Sequence, residues 1–165
     1  MAAPKNQYNT SIQEGTFNNS LVKGEIDQHV PVKDGLVTFN KTIAAGAAGA
    51  DIDGATEVFY SVPTGYELKI TSARIIALGT SAGIDADNTC VITVEDTETT
   101  AHVFATKTFS DDPAFPAAKA SAELTVQDGI KLAAGKSLTY TVTQGTTADH
   151  NGFELIVEGT LSPAY

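Results

Sequence analysis

The chain has no tryptophan, a single cysteine, a single methionine and only 18% charged residues, and each shortage removes a class of protein. With Cys90 as the one thiol there is no intrachain disulfide framework, so folding requires no oxidising compartment. Basic side chains are scarce: ten Lys and Arg against twenty Asp and Glu leave a formal charge of -10. That charge repels phosphate backbones and anionic headgroups over a Debye length of about 10 Å, which argues against nucleic acid and membrane surfaces as partners. Long apolar runs are missing too. Nothing approaches the roughly 18 consecutive apolar residues of a membrane span, and the opening MAAPKNQYNT lacks the apolar stretch of a signal peptide. The expectation is cytoplasmic synthesis with neither leader nor anchor.

What the sequence does contain is Thr, Ala, Gly and Val, recurring through 165 residues that are 42% hydrophobic, a balance that favours strands in one domain of ordinary size. Over residues 1–34 the apolar positions Ile12, Phe17, Leu21, Val22, Ile26, Val30 and Val32 hold no period of 2 or 3.6. Such a segment buries too little to offset roughly 1–2 kcal/mol of backbone ordering entropy per residue, so an extended N-terminal arm is expected there, ordered against a partner.

From Gly35 the pattern changes to short β-branched and aromatic runs bounded by Gly, Pro, Asp or Asn. About eight are counted: Leu36–Thr42, Thr56–Val62, Glu67–Leu78, Thr89–Asp96, His102–Phe109, Ala122–Gln127, Ser137–Thr143 and Gly152–Leu161. In the seventh, Leu138, Tyr140 and Val142 share one face and hydroxyls the other, as a half-buried strand requires. With no convincing amphipathic helix between runs, the fold class is all-β, an antiparallel, jelly-roll-like β-sandwich over residues 35–165. Leu68 and Ile70 set one phase of the third run and Ile75 the other. The phase change predicts a bulge near Thr71 and Ser72, or a strand passing between sheets, with Arg74 facing solvent or a paired carboxylate. Ile156 breaks the alternation of the last run and suggests a contact. The Ala- and Gly-rich stretch 43–55 should be mobile or lie flat on a neighbour. Phe115, between Pro113 and Pro116, is either an exposed contact point or a cap on the core.

Motifs with chemical content are few. Gly79-Thr80-Ser81-Ala82-Gly83 spells the G-x-S-x-G nucleophile elbow, which needs a strand before it and a helix after it. Here Ile84 to Asn88 leads into another strand, and an ordinary loop is expected. His29, His102 and His150 lack any metal-ligand spacing. Asp51-Ile52-Asp53-Gly54 and Asp85-Ala86-Asp87-Asn88 have oxygens for calcium but no distal bidentate glutamate, so turn formation is their expected role. Cys90 falls in phase with Ile92 and Val94, as a buried hydrophobe does. No motif pairs two glutamates as a glycosidase would, and without Trp aromatic platforms for sugars are few. No catalytic, cofactor-binding or metal-ligating residue is assigned, no cofactor is implied, and the chain reads as a non-enzyme.

Two stretches carry a resemblance. Ser61-Val62-Pro63-Thr64-Gly65-Tyr66-Glu67-Leu68-Lys69-Ile70 and Leu132-Ala133-Ala134-Gly135-Lys136-Ser137-Leu138-Thr139-Tyr140-Thr141-Val142-Thr143 each feed a Pro- or Gly-containing turn into a strand, Thr-rich in the second. In this, residues 55–161 resemble jelly-roll proteins of tailed bacteriophage virions, the capsid decoration or cement proteins and the head-fibre and tail-attachment modules. The resemblance implies a structural protein on the virion, bound to the outer surface of the major capsid protein lattice and stabilising it, as a homo-oligomer, often a trimer. It transfers no individual binding residue. Similar turn-and-strand grammar occurs in carbohydrate-binding modules. The alternative is therefore a carbohydrate- or receptor-binding module that uses loops 79–88, 110–121 and 144–151.

Overall fold

The computed structural model describes residues 35–54, 57–98 and 100–164. The arm expected over residues 1–34, His29 included, lies outside the described residues. The described chain is all-β, with strands β1 Gly35–Ile43, β2 Tyr60–Ser61, β3 Tyr66–Ala77, β4 Cys90–Asp96, β5 Val103–Phe109, β6 Ser121–Glu123, β7 Thr125–Val126, β8 Lys131–Leu132, β9 Ser137–Gln144 and β10 Phe153–Pro163. They form two antiparallel five-stranded sheets. The first runs β1-β10-β3-β6, with β8 also on β3, and the second runs β2-β9-β4-β5-β7. The pairs β1 with β10, β2 with β9, β3 with β6 and β8, and β4 with β5 are nested in sequence. A long antiparallel ribbon rolled up across two sheets makes this nesting, and it is the jelly-roll wrap.

Side-chain alternation decides which face of each strand goes inside. On β4, Cys90, Ile92 and Val94 point inward with no exposed surface, while Val91, Thr93 and Glu95 point out. Leu68, Ile75, Phe109, Leu138, Phe153 and Leu155 meet them in one core between the sheets. Burial of each such side chain is worth about 1.5–3 kcal/mol.

The phase change in the third run is a bulge. Glu158 pairs with Ser72 and Gly159 with Ile70, so Thr71 is the extra residue that returns Leu68 and Ile70 to the core face. Arg74 then meets Glu158 at 3.2 Å on the outer face. The strand that changes sheets is a different one. Ala122 pairs with Ile75 in the first sheet and Thr125 with Thr106 in the second. The expected run Ala122–Gln127 is therefore two strands, hinged at the buried Leu124, whose amide donates to the Ala73 carbonyl. The expected run Thr56–Val62 shortens to Tyr60–Ser61. Before it the described residues meet β9 at separate points, among them the bridge from Ile52 to Val142, the Thr139 hydroxyl on the Gly54 and Glu57 carbonyls, and a bond from the Phe59 amide to the Leu138 carbonyl. Strand β8, two residues between Gly129 and Gly135, is too short for a sequence pattern.

Phe115 caps the core: it is 2% exposed and stacks on Phe109 at 4.8 Å. Ile156 does point to the outer face, in a row with Asn40 and Arg74, yet its own sheet leaves it only 8% exposed. The Ala- and Gly-rich stretch lies on its neighbours, with the Gly49 amide on the Ala148 carbonyl and Asp51 accepting from the Gln144 amide at 2.7 Å.

Candidate functional site

Three regions of the surface collect polar or apolar groups in ways that could serve binding. At one end of the sandwich, loops 79–88, 110–115 and 144–151 converge. The carboxylate of Asp112 accepts from the amides of Gly83 at 3.2 Å and Ile84 at 3.1 Å and from Ser81 Oγ at 3.3 Å. Ala82 forms a bridge with Asp149, and the Thr147 hydroxyl donates to the Gly83 carbonyl. Gly83 and Gly145 permit this packing: a Cβ at Gly83 would lie 2.2 Å from the Thr147 carbonyl oxygen, and one at Gly145 2.4 Å from Asn88 Cα. Ser81, the serine of the G-x-S-x-G spelling, is 9% exposed and faces Asp112. Its loop leads to the turn of Asp85, whose Oδ1 accepts from the Asp87 and Asn88 amides. The Asn88 side-chain amide, which donates to the same carboxylate, and then these two bonds hold the Asp85 carboxyl below its ordinary pKa. His150 is buried beside Phe153, and its Nδ1 accepts from the Gly152 amide at 2.9 Å. Burial pushes its pKa down, against a smaller opposing pull from Asp149.

At the opposite end, the β4–β5 hairpin brings Asp96, Glu98 and His102 together, with one ligand atom from each lying within 4.8 Å of the others. Asp96 is 5% exposed and makes three bonds. Its Oδ1 accepts from the amides of Glu98 at 3.2 Å and His102 at 3.1 Å, and its Oδ2 meets His102 Nδ1 at 2.8 Å. Burial works to raise the Asp96 pKa, but the His102 and Glu98 bonds outweigh it and the net shift is downward. Glu98 pairs with Lys136. Asp53, Gly54, Glu95 and Thr139 complete a cleft of about 150 Å³. Within it the Glu95 pKa is raised by burial, against a Thr141 hydrogen bond, and by the charges of Asp96 and Asp53. Among the described residues this is the group whose donors could hold a metal ion. As it stands, those donors are engaged in closing the hairpin. A cation would have to replace both the His102 bond to Asp96 and the Lys136 bond to Glu98. The sequence reading missed the cluster, although Asp96, Glu98 and His102 stand together in one hairpin loop, because no metal-ligand motif has their spacing.

Along one side of the sandwich runs a seam where both sheets end, the first at β1 and the second at β2 and the residues before it. Phe39 of β1 lies against Tyr60 at 4.2 Å and Phe59 at 6.4 Å, and Phe59 continues to Tyr140 at 6.2 Å. Lys41 reaches across to Glu57 at 3.1 Å. The rings of Phe39, Phe59 and Tyr60 are half-buried, while Leu36, on the outward face of β1, and Val58, next to Phe59 in sequence, are 75% and 46% exposed.

No family model matches the chain. No curated protein matches it either. Among solved structures, a chain from Bacillus endospore appendages, described as a family of disulfide-linked pili, is similar at 12% identity and a TM-score of 0.38, over 80% of this chain and 92% of that one. In the present chain Cys90, the single cysteine, is fully buried on β4, and burial pushes its thiol pKa up to about 12.

Proposed function

We propose that this chain is a structural virion protein that binds the outer surface of a phage capsid and stabilises the shell, the role implied by its resemblance to decoration and cement proteins. The observation that carries the reading is the nested pairing of β1 with β10, β2 with β9 and β4 with β5. This wrap is one that viral shell proteins use. Function does not follow from a fold alone, so the surface must supply a place to bind. The end where loops 79–88, 110–115 and 144–151 converge, with Leu78 beside it 52% exposed, is such a place. The outward residues of β4 and β9, Thr93, Glu95, Thr141 and Thr143 among them, make that face of the second sheet polar. The test is co-sedimentation with expanded capsids of the phage that encodes the chain. Saturable binding that raises the temperature of shell disruption is expected. A protein left entirely in the supernatant contradicts the proposal.

A second reading, a carbohydrate- or receptor-binding module, is favoured by the convergence of loops 79–88, 110–115 and 144–151 at one end. A glycan array separates the two: hits that are lost when Asp112 or Thr147 is replaced support the module, and an empty array removes the carbohydrate form of it.

A further inference from the structure

We propose that the β1 seam is a self-association surface, and that its occupant is the same seam of a second copy of this chain. The inference goes beyond the virion reading and does not depend on it. A sandwich of two open sheets has four edges, and here three of them are blunt. Strands β2 and β7 are two residues long, and β6 and β8 are three and two. Short edges are one of the devices by which proteins prevent unwanted strand pairing. The fourth edge is β1, nine residues and about 30 Å long. Its inner side pairs with β10 along its whole length, from Gly35 opposite Leu161 to Ile43 opposite Phe153, and among the described residues nothing pairs with its outer side. A fold that keeps three edges short and leaves one long offers that one for pairing.

Charge decides which partner fits. Two chains of formal charge -10 repel, so a second copy can approach only where carboxylates are absent or neutralised. Of the residues 35–43 and 57–62 that make the seam, the charged ones are Lys41 and Glu57, and they pair with each other. A lysine on an edge strand ordinarily discourages pairing. Here Glu57 compensates it, at 3.1 Å. Antiparallel pairing of β1 with its own copy is isologous, so one surface meets itself and no second complementary patch is needed. The pairing joins two five-stranded sheets into one of ten strands and covers Leu36, now 75% exposed, and the half-exposed edges of Phe39 and Tyr60. Its symmetry is twofold, in contrast to the trimer that the virion resemblance implies.

The experiment is the molar mass of the full chain by light scattering across a dilution series, with hydrogen exchange of the β1 amides on the same samples. The expected result is twice the chain mass, with β1 protection that is lost on dilution. Leu36→Glu and Val58→Glu each add an uncompensated carboxylate per copy to a surface whose charged residues, Lys41 and Glu57, pair with each other. Both sites are exposed, so the melting temperature of the dissociated protein should be unchanged while the dissociation constant rises at least about tenfold. A monomer at every concentration overturns the proposal. So does a dimer whose mass both variants leave unchanged, or β1 protection that is independent of concentration, which would mean that the chain's own residues occupy the edge. A trimer mass overturns it as well and leaves capsid binding, tested separately, standing.

Discussion

Replacing Asp96 tests whether the acidic end of the sandwich is a structural clamp. The side chain is 5% exposed and its Oδ1 accepts from two backbone amides of the hairpin loop, those of Glu98 and His102. Hydrogen bonds to a charged acceptor are worth about 1.5 kcal/mol or somewhat more each. The third bond, to an imidazole whose side chain is 59% exposed, adds less than about 1 kcal/mol. Asp96→Ala should therefore cost about 3 kcal/mol, or about 10 °C in melting temperature for a domain of this size. Asp96→Asn keeps an oxygen facing both amides and should cost about 1 kcal/mol. Because folding lowers the Asp96 pKa from its ordinary 3.8, its contribution is complete above that value and disappears as pH falls through the lower folded value. The gap between wild type and Asp96→Asn should accordingly be constant from neutral pH to about pH 5 and close below pH 4. Urea denaturation at several pH values measures both quantities. An Asp96→Ala variant within 0.5 kcal/mol of wild type, by the roughly ±0.5 kcal/mol scale of neutral surface changes, would refute the clamp. A gap that widens in acid would refute the electrostatic account.

Other outcomes follow from the core and the buried titratable groups. Phe109→Ala removes a fully buried ring that packs on Phe115 and should cost about 3–5 kcal/mol in chemical denaturation. His150 has its folded pKa depressed by burial, so stability should decline as pH falls below its unfolded value of about 6.5. A variant with Gln at 150 should lose that slope in a series of thermal melts. Alkylation of Cys90 by iodoacetamide should be far slower in the native protein than in urea, because the thiol is buried and its pKa lies near 12. Deleting Thr71 removes the bulge and leaves Leu68, Ile70, Ala73 and Ile75 in unbroken alternation on the core face, with Ile70 and Ser72 adjacent opposite Gly159 and Glu158, so a cooperative unfolding transition should remain in urea.

Much of this architecture was legible because alternation carries it. Strands β1, β3, β4, β5, β9 and β10 stand where period-2 runs stand in the sequence, and the phase conflict between Ile70 and Ile75 pointed to a bulge near Thr71 and Ser72 or a change of sheet, of which strand pairing shows the bulge. The change of sheet at Leu124 was illegible because it occurs within one residue, and a strand that swaps sheets keeps its hydrophobic character throughout. The fate of Phe115 depends on Phe109, which is near in space only once β5 is in place. At the surface the limits were greater. The Asp96, Glu98 and His102 cluster has no motif to announce it, and the three end loops converge through tertiary bonds such as Ser81 to Asp112, between residues that are far apart in sequence. The exposed edge of β1 depends on strand order, which local pattern does not encode.

The proposal that this chain is a shell-binding virion protein is tested most directly by electron cryomicroscopy of expanded capsids incubated with the purified full chain. The expected result is an ordered two-sheet density of this domain at regular positions on the outer surface, between coat subunits, with the shell withstanding heat that disrupts bare capsids. Bare shells at saturating protein, with unchanged heat resistance, would contradict it.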